Sequence, residues 1–397
     1  MVGVTPPQKR PEDGVPVSKT IRTGFSQSAD PATAVAELHA ALAHQDVALV
    51  MFFCSVAYDM AALAGEFARQ FAGIQVIGCT TAGEITPMGY MDGSLTGFSL
   101  SASDCRVCTA CIPDLASQAP DAGFCAAQDA MAALSDNGQV ADAENTFGLL
   151  LIDGMCGHEE FVVSTMHWAL GTIPLLGGSA GDDMRLKNTF IYHNGAFYRN
   201  AALLALVQTT RPFRAFRSQH FTGGPAKMVV TRADPARRIV HEINAEPAAA
   251  EYARIAGLPA GLVSPELVAE KPLMVKIGGE YYVRSIQQVL PCGSLVFYSA
   301  LEQGVVLTLA ERHDLLGHLG GLFASIRADL GPPELVIGFD CVLRAREAER
   351  HQIRHQAGRM LADNKVIGFS TYGEQFAAMH LNQTFTGVAL GQPRAAA

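Results

Sequence analysis

The chain has 397 residues, 49% of them apolar, with 38 acidic against 29 basic side chains and a formal charge of −9. That length supports two domains with real cores. The acidic balance argues against a nucleic-acid surface, because phosphate binding needs clustered Lys and Arg. No run is long and apolar enough to span a bilayer, and the N-terminus lacks the apolar stretch of a signal peptide. Nine cysteines, an odd number scattered through apolar segments, suit reduced thiols in a cytoplasm.

Residues 1–20, rich in Pro and charge, read as a loose arm. One pattern then occurs three times. Its first copy has an apolar run Val47 to Phe53, a helical stretch over 58–72, the sequence Val76-Ile77-Gly78-Cys79-Thr80-Thr81-Ala82-Gly83-Glu84, and an apolar run Leu95 to Leu100. The second has Phe147 to Asp153, a helix over 158–170, Leu175-Leu176-Gly177-Gly178-Ser179-Ala180-Gly181-Asp182-Asp183, and Ala202 to Val207. The third has Glu334 to Asp340, a helix over 345–362, Val366-Ile367-Gly368-Phe369-Ser370-Thr371-Tyr372-Gly373-Glu374, and Phe385 to Leu390. Short apolar runs between turn residues predict strands buried on both faces. A right-handed crossover makes the first two strands of each unit parallel, and the last returns antiparallel.

Between the second and third copies the sequence predicts a basic, irregular connector, Arg211 to Arg217, and strands over 228–235 and 238–243. A helix over 247–256 and a hairpin turning at Gly278-Gly279 come next. Strands over 294–298 and 305–308 lead to a helix over 315–329. With a boundary near 215, the organisation is an arm (1–20), a first domain (21–215) and a second (216–392). The fold class is α/β: mixed sheets covered by helices, built from repeated strand–helix–strand–glycine loop–strand units in two domains.

Three loops in equivalent settings point to one shared ligand site at the strand ends. Gly78, Gly83, Gly178, Gly181, Gly368 and Gly373 allow close backbone approach, and successive amides form anion-binding nests. Thr80, Thr81, Ser179, Ser370 and Thr371 add hydroxyls. Glu84, Asp182, Asp183 and Glu374 offer carboxylates to an amine or an arginine. Nests beside acids suit a zwitterion or a propionate-bearing cofactor. The plainer alternative is a set of tight turns at sheet edges with the acids in water.

Two further clusters carry metal-binding spacing. Cys105, Cys108 and Cys111 form a CxxCxxC run suited to zinc or an iron–sulfur cluster, but on a strand Cys108 faces away from the other two. Glu347, His351 and His355 recur every four residues, a zinc-compatible stripe. The alternation of Arg and Glu through Arg344 to Arg359 favours a solvated helix face instead. Gly178-Ser179-Ala180-Gly181 lacks the strand–Ser–helix setting of a nucleophile elbow, so catalysis is disfavoured.

Asp153-Gly154 with Glu159-Glu160, the second glycine loop, Gly338-Phe339-Asp340-Cys341, the third loop through Gln375, and His380-Leu381-Asn382-Gln383-Thr384 resemble FIST sensory domain proteins, FIST N followed by FIST C. The resemblance covers nearly the whole chain after residue 21. It implies an intracellular sensor of small ligands. One branch, the nitric-oxide-sensing haemoproteins that regulate a partner histidine kinase, implies haem. His380, with Met379 and Asn382 beside it, is then the axial-ligand candidate; His193 and His241 are weaker ones. The leading expectation is a cytoplasmic, haem-based nitric-oxide sensor reporting to a histidine kinase, without nucleic-acid or membrane partners and plausibly dimeric. The alternative is a haem-free sensor of an amino-acid-like ligand; a hydrolytic enzyme ranks third.

Overall fold

The computed structural model describes residues 20–135, 140–259 and 263–393; the arm expected over 1–20 lies, Thr20 apart, outside them. In each of the three units the strands pair as the pattern predicts. Val47–Cys54 pairs parallel with Val76–Thr80 and antiparallel with Leu95–Ser101. Thr146–Ile152 does the same with Leu175–Ser179 and Ala202–Thr209, and Leu335–Cys341 with Val366–Thr371 and Phe385–Leu390. The crossover helices are Met60–Gln70 and Glu159–Leu170 in the first two units. Asp59 caps the first of them by accepting from Ala61 N and Ala62 N, a standard use of an acid at a helix start.

The third crossover departs from expectation: instead of one helix over 345–362 there are two, Val342–Arg350 and Arg354–Asp363. The first ends with Gln352 at φ +58°, Gln352 N bonded to Glu349 O and Ile353 N to Ala348 O. This is the Schellman termination, with Gln in the left-handed position that Gly usually marks, so no glycine announced it. The break removes the metal-binding stripe: His351 follows the first helix and His355 belongs to the second.

Each unit gains an outer strand antiparallel to its last one: Ile21–Ser26, Cys105–Ile112 and Phe213–Ser218. The last of these replaces the irregular connector expected over 211–217, and the boundary expected near 215 falls inside it. Its arginines do not break the strand because it is an edge. Phe213 and Ala215 pack on the core, while Arg214 reaches Asp329 and Arg217 lies over the Tyr282 ring.

Hairpins after the glycine loops are exchanged in a cycle. Glu84–Thr86 and Gly89–Met91 extend the third unit's sheet through strand Val366–Thr371. Glu374–Phe376 and Met379–Leu381 extend the second unit's sheet through Leu175–Ser179. Ile191–His193 and Ala196–Tyr198 extend the first unit's sheet through Val76–Thr80. The result is three six-stranded sheets whose inner faces share one core, including Met51, Phe53, Leu149, Leu151, Ile337, Phe339 and Phe369. Alternate residues of the same strands face the covering helices, as Phe52 does against Phe67. Burial on both faces explains the unbroken apolar runs.

Between the second and third units the chain builds a fourth, eight-stranded sheet. Its longest strand, Phe221–Asp234, pairs with Val306–Arg312 and Ile239–Ile243. Met228, Val230, Tyr252 and Phe297 form its own core. No helix among the described residues is long and apolar enough to cross a membrane.

Candidate functional site

The three glycine loops meet and hydrogen-bond to one another. Ala82 N donates to Ser370 O (3.0 Å) and Ser370 N to Gly83 O (2.7 Å). Gly181 N donates to Thr80 O (3.0 Å) and Asp183 N to Thr81 O (3.1 Å). Ser179 N donates to Gly373 O (2.8 Å) and Tyr372 N to Ser179 O (3.3 Å). At Gly181 a Cβ would stand 2.6 Å from Ala82 N, so that glycine serves loop-to-loop contact rather than a ligand.

This closed ring corrects the expected anion nests. Those backbone groups are occupied by the neighbouring loops, each of which bonds to the other two at the axis. The hydroxyls are used as well. Thr80 Oγ1 accepts from Phe190 N (3.0 Å), Thr81 Oγ1 donates to Glu84, Ser179 Oγ accepts from Gln375 Nε2 (2.9 Å), and Thr371 Oγ1 lies 2.8 Å from Ser179 O. Gly78 and Gly368 lie within strands, as does Gly178.

The acids divide by environment. Glu84 and Glu374 face the interior, not a ligand: each is fully buried. Glu84 accepts from Ser94 N (2.9 Å) and Oγ (2.7 Å), and Glu374 from Thr384 N (2.9 Å) and Oγ1 (2.7 Å). Burial pushes Glu84 up to about 7 and Glu374 up to about 8, against the lowering effect of these bonds. Asp182 goes the other way. Burial alone would raise it, but the Tyr372 hydroxyl and the amides of Asn188, Lys187 and Leu186 outweigh burial and hold it low. Gathering those amides winds the segment tightly: Asp183, Met184 and Leu186 all have φ between +53° and +61°. Left-handed non-glycine residues cost on the order of 1–3 kcal/mol each and cluster at functional sites.

Outside the ring, residues from all three loops open onto one cleft of about 310 Å³. Ala82, Asp183 with Met184, and Ser370 line it, together with Ser55, Asp92, and Arg346, Glu349 and Arg354 of the third crossover. Arg354 Nη2 sits 2.7 Å from both Asp92 oxygens. Arg346 and Glu349 form no ion pair among the described residues. Asp183 has Ser55 Oγ at 3.2 Å and Arg185 only at 3.8 Å. Burial raises its carboxyl, and Asp92 and Asp182 add to that. The cleft thus holds a carboxylate whose cation stands 3.8 Å away and a guanidinium without an ion pair among the described residues.

The inner face of the same helix, Val342–Arg350, is not solvated as expected. Arg344 and Glu347 are buried. Arg344 Nε lies 2.7 Å from Asp340, which also accepts from Tyr90. Arg344 Nη1 donates to His220 Nδ1 (2.8 Å), leaving His220 Nε2 to donate to Glu347 (2.8 Å), which Arg312 also approaches at 3.3 Å. A guanidinium donating to Nδ1 requires that nitrogen to carry no proton, so this tautomer satisfies both nitrogens, and burial pushes the ring's pKa down in the same sense. One helix therefore presents one set of charges to the cleft and another to the fourth sheet.

Residues 48–246 match the FIST N domain and residues 248–377 the FIST C domain. The chain belongs to the FIST family. As such it is a signal-transduction sensor of small ligands. No curated protein matches it. Among solved structures it is similar to a cyanuric acid hydrolase from A. caulinodans, at 8% identity and a TM-score of 0.40, covering 94% of this chain and 99% of that one.

In this FIST chain His380 is buried, its ring against Gly373, where a Cβ would stand 2.1 Å from Cε1. Gln375 Nε2 lies 3.4 Å from its Nδ1. With Tyr372, Glu159 and Arg238 it lines a cavity of about 160 Å³. Arg238 Nη2 is 2.7 Å from Glu159 and 2.6 Å from Glu160. Ligand cavities for groups of drug size run to roughly 300–1,000 Å³ and are mostly apolar. A haem ring does not fit beside His380 in this small, charged space. Asn382 accepts instead from Ser299 Oγ (3.0 Å), and Met379 is outside the cavity lining. His193 bonds to Thr109 Oγ1 (3.1 Å) and His241 to Ser294 Oγ (3.0 Å). The cysteine run is a strand, as the alternation required: Cys105 and Cys111 face the shared core and Cys108 the helices on the other side. Sequence reasoning missed Ser55, Asp92, Arg346, Glu349 and Arg354. The available signal is the arginine-rich stretch Arg344 to Arg359, whose alternation with Glu reads as a solvated face.

Proposed function

We propose that this FIST protein senses a small zwitterion, an amino-acid-like ligand, in the cleft lined by Ala82, Asp183 and Ser370. The observation that carries this is the presence, in one space of about 310 Å³, of Arg346 without an ion pair among the described residues and of Asp183, whose partner Arg185 stands 3.8 Å away. The ligand carboxylate meets the Arg346 fork, the geometry that suits guanidinium, and the ammonium meets Asp183 and Asp92. Occupation pulls on helix Val342–Arg350, whose other face is tied through Arg344 and Glu347 to His220 and Arg312. That linkage gives the bound and free states different packing at the fourth sheet, the requirement for a population shift. Binding rather than catalysis is supported by Ser179, whose hydroxyl is held by Gln375 inside the ring.

Thermal-shift titration with a panel of L-amino acids tests the reading. At about 100 times Kd a ligand stabilises by about 2.7 kcal/mol. Asp183→Asn and Arg346→Gln are expected to weaken binding at least ten-fold, about 1.4 kcal/mol. A panel without any shift, or variants that bind as the wild type does, overturns it. The haem reading is supported by the resemblance alone and needs the His380 cavity to open. A Soret band altered by nitric oxide and by His380→Ala would replace the zwitterion. A histidine kinase as the partner that reads the state is likewise supported by the resemblance; ligand-dependent change in kinase autophosphorylation checks it.

A further inference from the structure

The fourth sheet holds a cavity of about 520 Å³, separate from the cleft, lined by Lys227, Lys276 and Arg284 against a single acid, Glu302. Three cations against one acid is unusual on a chain of net charge −9, so the positive potential is local. Val275, Leu301 and Val305 supply apolar walls. Arg284 ends the strand Glu280–Arg284 and is partly buried. Its one hydrogen bond among the described residues runs from Nη1 to Val283 O (3.1 Å), and it has no ion pair among them. Glu160, the acid whose field reaches it, is already engaged by Arg238 (2.6 Å) and Ala300 N (3.1 Å). A guanidinium partly withdrawn from water without an anion carries a desolvation cost that a bound carboxylate offsets. Lys227 and Lys276 also lack ion pairs among the described residues; Lys276 sits 5.3 Å over the Tyr281 ring.

We propose that this cavity is a second ligand site, for an amphiphilic carboxylate: an apolar body on Val275, Leu301 and Val305, with its head group on Arg284. One partly buried fork matches one carboxylate in bidentate fashion, and the two exposed lysines add attraction that salt screens. The volume falls in the range of small-molecule sites. The site borders Ala300, whose amide holds Glu160, so occupation is placed to bear on the contact between the second unit and the fourth sheet. The inference is independent of the zwitterion cleft.

Calorimetric titration of the full chain with octanoate, and with octan-1-ol as the uncharged body, tests it. Octanoate is expected to bind at least ten-fold more tightly than octanol, and Arg284→Met to abolish that preference. Lys227→Met/Lys276→Met, on exposed side chains that leave the core untouched, is expected to weaken octanoate several-fold and flatten its salt dependence; this arm decides the matter should Arg284→Met fail to fold. Arg346→Gln is expected to leave octanoate binding unchanged. Absence of octanoate binding, equal affinity for octanol, or indifference to the lysine pair overturns the proposal, whatever the cleft binds.

Discussion

Glu374→Gln isolates what a buried, protonatable acid does to stability. In the folded chain Glu374 is fully buried, accepts from Thr384 N and Oγ1, and has its pKa pushed up to about 8 by burial; unfolded it returns to 4.5. Its folded value is the higher one, so its contribution is fully present below pH 4.5 and is lost as pH rises through about 8. Over that window the folded state holds one more proton than the unfolded, and stability falls by about 1.4 kcal/mol per pH unit. Between pH 5.5 and 7.5 this amounts to about 3 kcal/mol from Glu374. Glu84, raised to about 7, acts in the same direction and persists in the variant. Gln keeps the shape and the carbonyl acceptor for Thr384 but has no proton to lose. Urea unfolding of both proteins at pH 5.5, 6.5 and 7.5 reads the effect as the difference in slope. The variant is expected to lose less stability across the range, by about 3 kcal/mol in total, and to be the more stable protein at the alkaline end. Parallel pH profiles for the two proteins would refute a neutral, buried Glu374.

Asp182 carries the opposite sign: its folded pKa lies below 3.8, so its contribution is present above that value and is lost as pH falls through the folded one. Asp182→Asn is expected to lessen acid sensitivity below about pH 4, read by circular dichroism. Arg344→Met leaves the buried Asp340 with a hydrogen bond from Tyr90 but without its cation, and is expected to cost about 3–5 kcal/mol in urea unfolding. Gly181→Ala drives a methyl into the Ala82 amide and is expected to destabilise by about 1–3 kcal/mol, with no gain or loss of any ligand that does not touch the ring.

The three strand–helix–strand patterns were legible because burial on both faces leaves an unbroken apolar signature, and the parallel and antiparallel pairings follow from chirality and short returns. The CxxCxxC run was legible as a strand from its place in the first unit, and alternation gave the faces of its cysteines. Phe213–Ser218 was not, since an edge strand tolerates arginines that read as a connector. Gln352 hid a helix end that Gly would have displayed. The cleft was half legible: the loops were recognised as neighbours, but Arg346, Glu349 and Asp92 acquire their meaning from elements distant in sequence.

The residue pattern settled that one unit recurs three times, that its strands are buried on both faces, and that its glycine loops belong together, because these rest on periodicity and local backbone freedom. Which hairpin joins which sheet, which acid is neutral in the core, and which charge stands unmet in a cavity depend on distances across the chain. Glu84 and Glu374 carry the same motif position that sequence alone would offer to a ligand. Only the packing of three units around one axis turns them inward and leaves Asp183 at the opening.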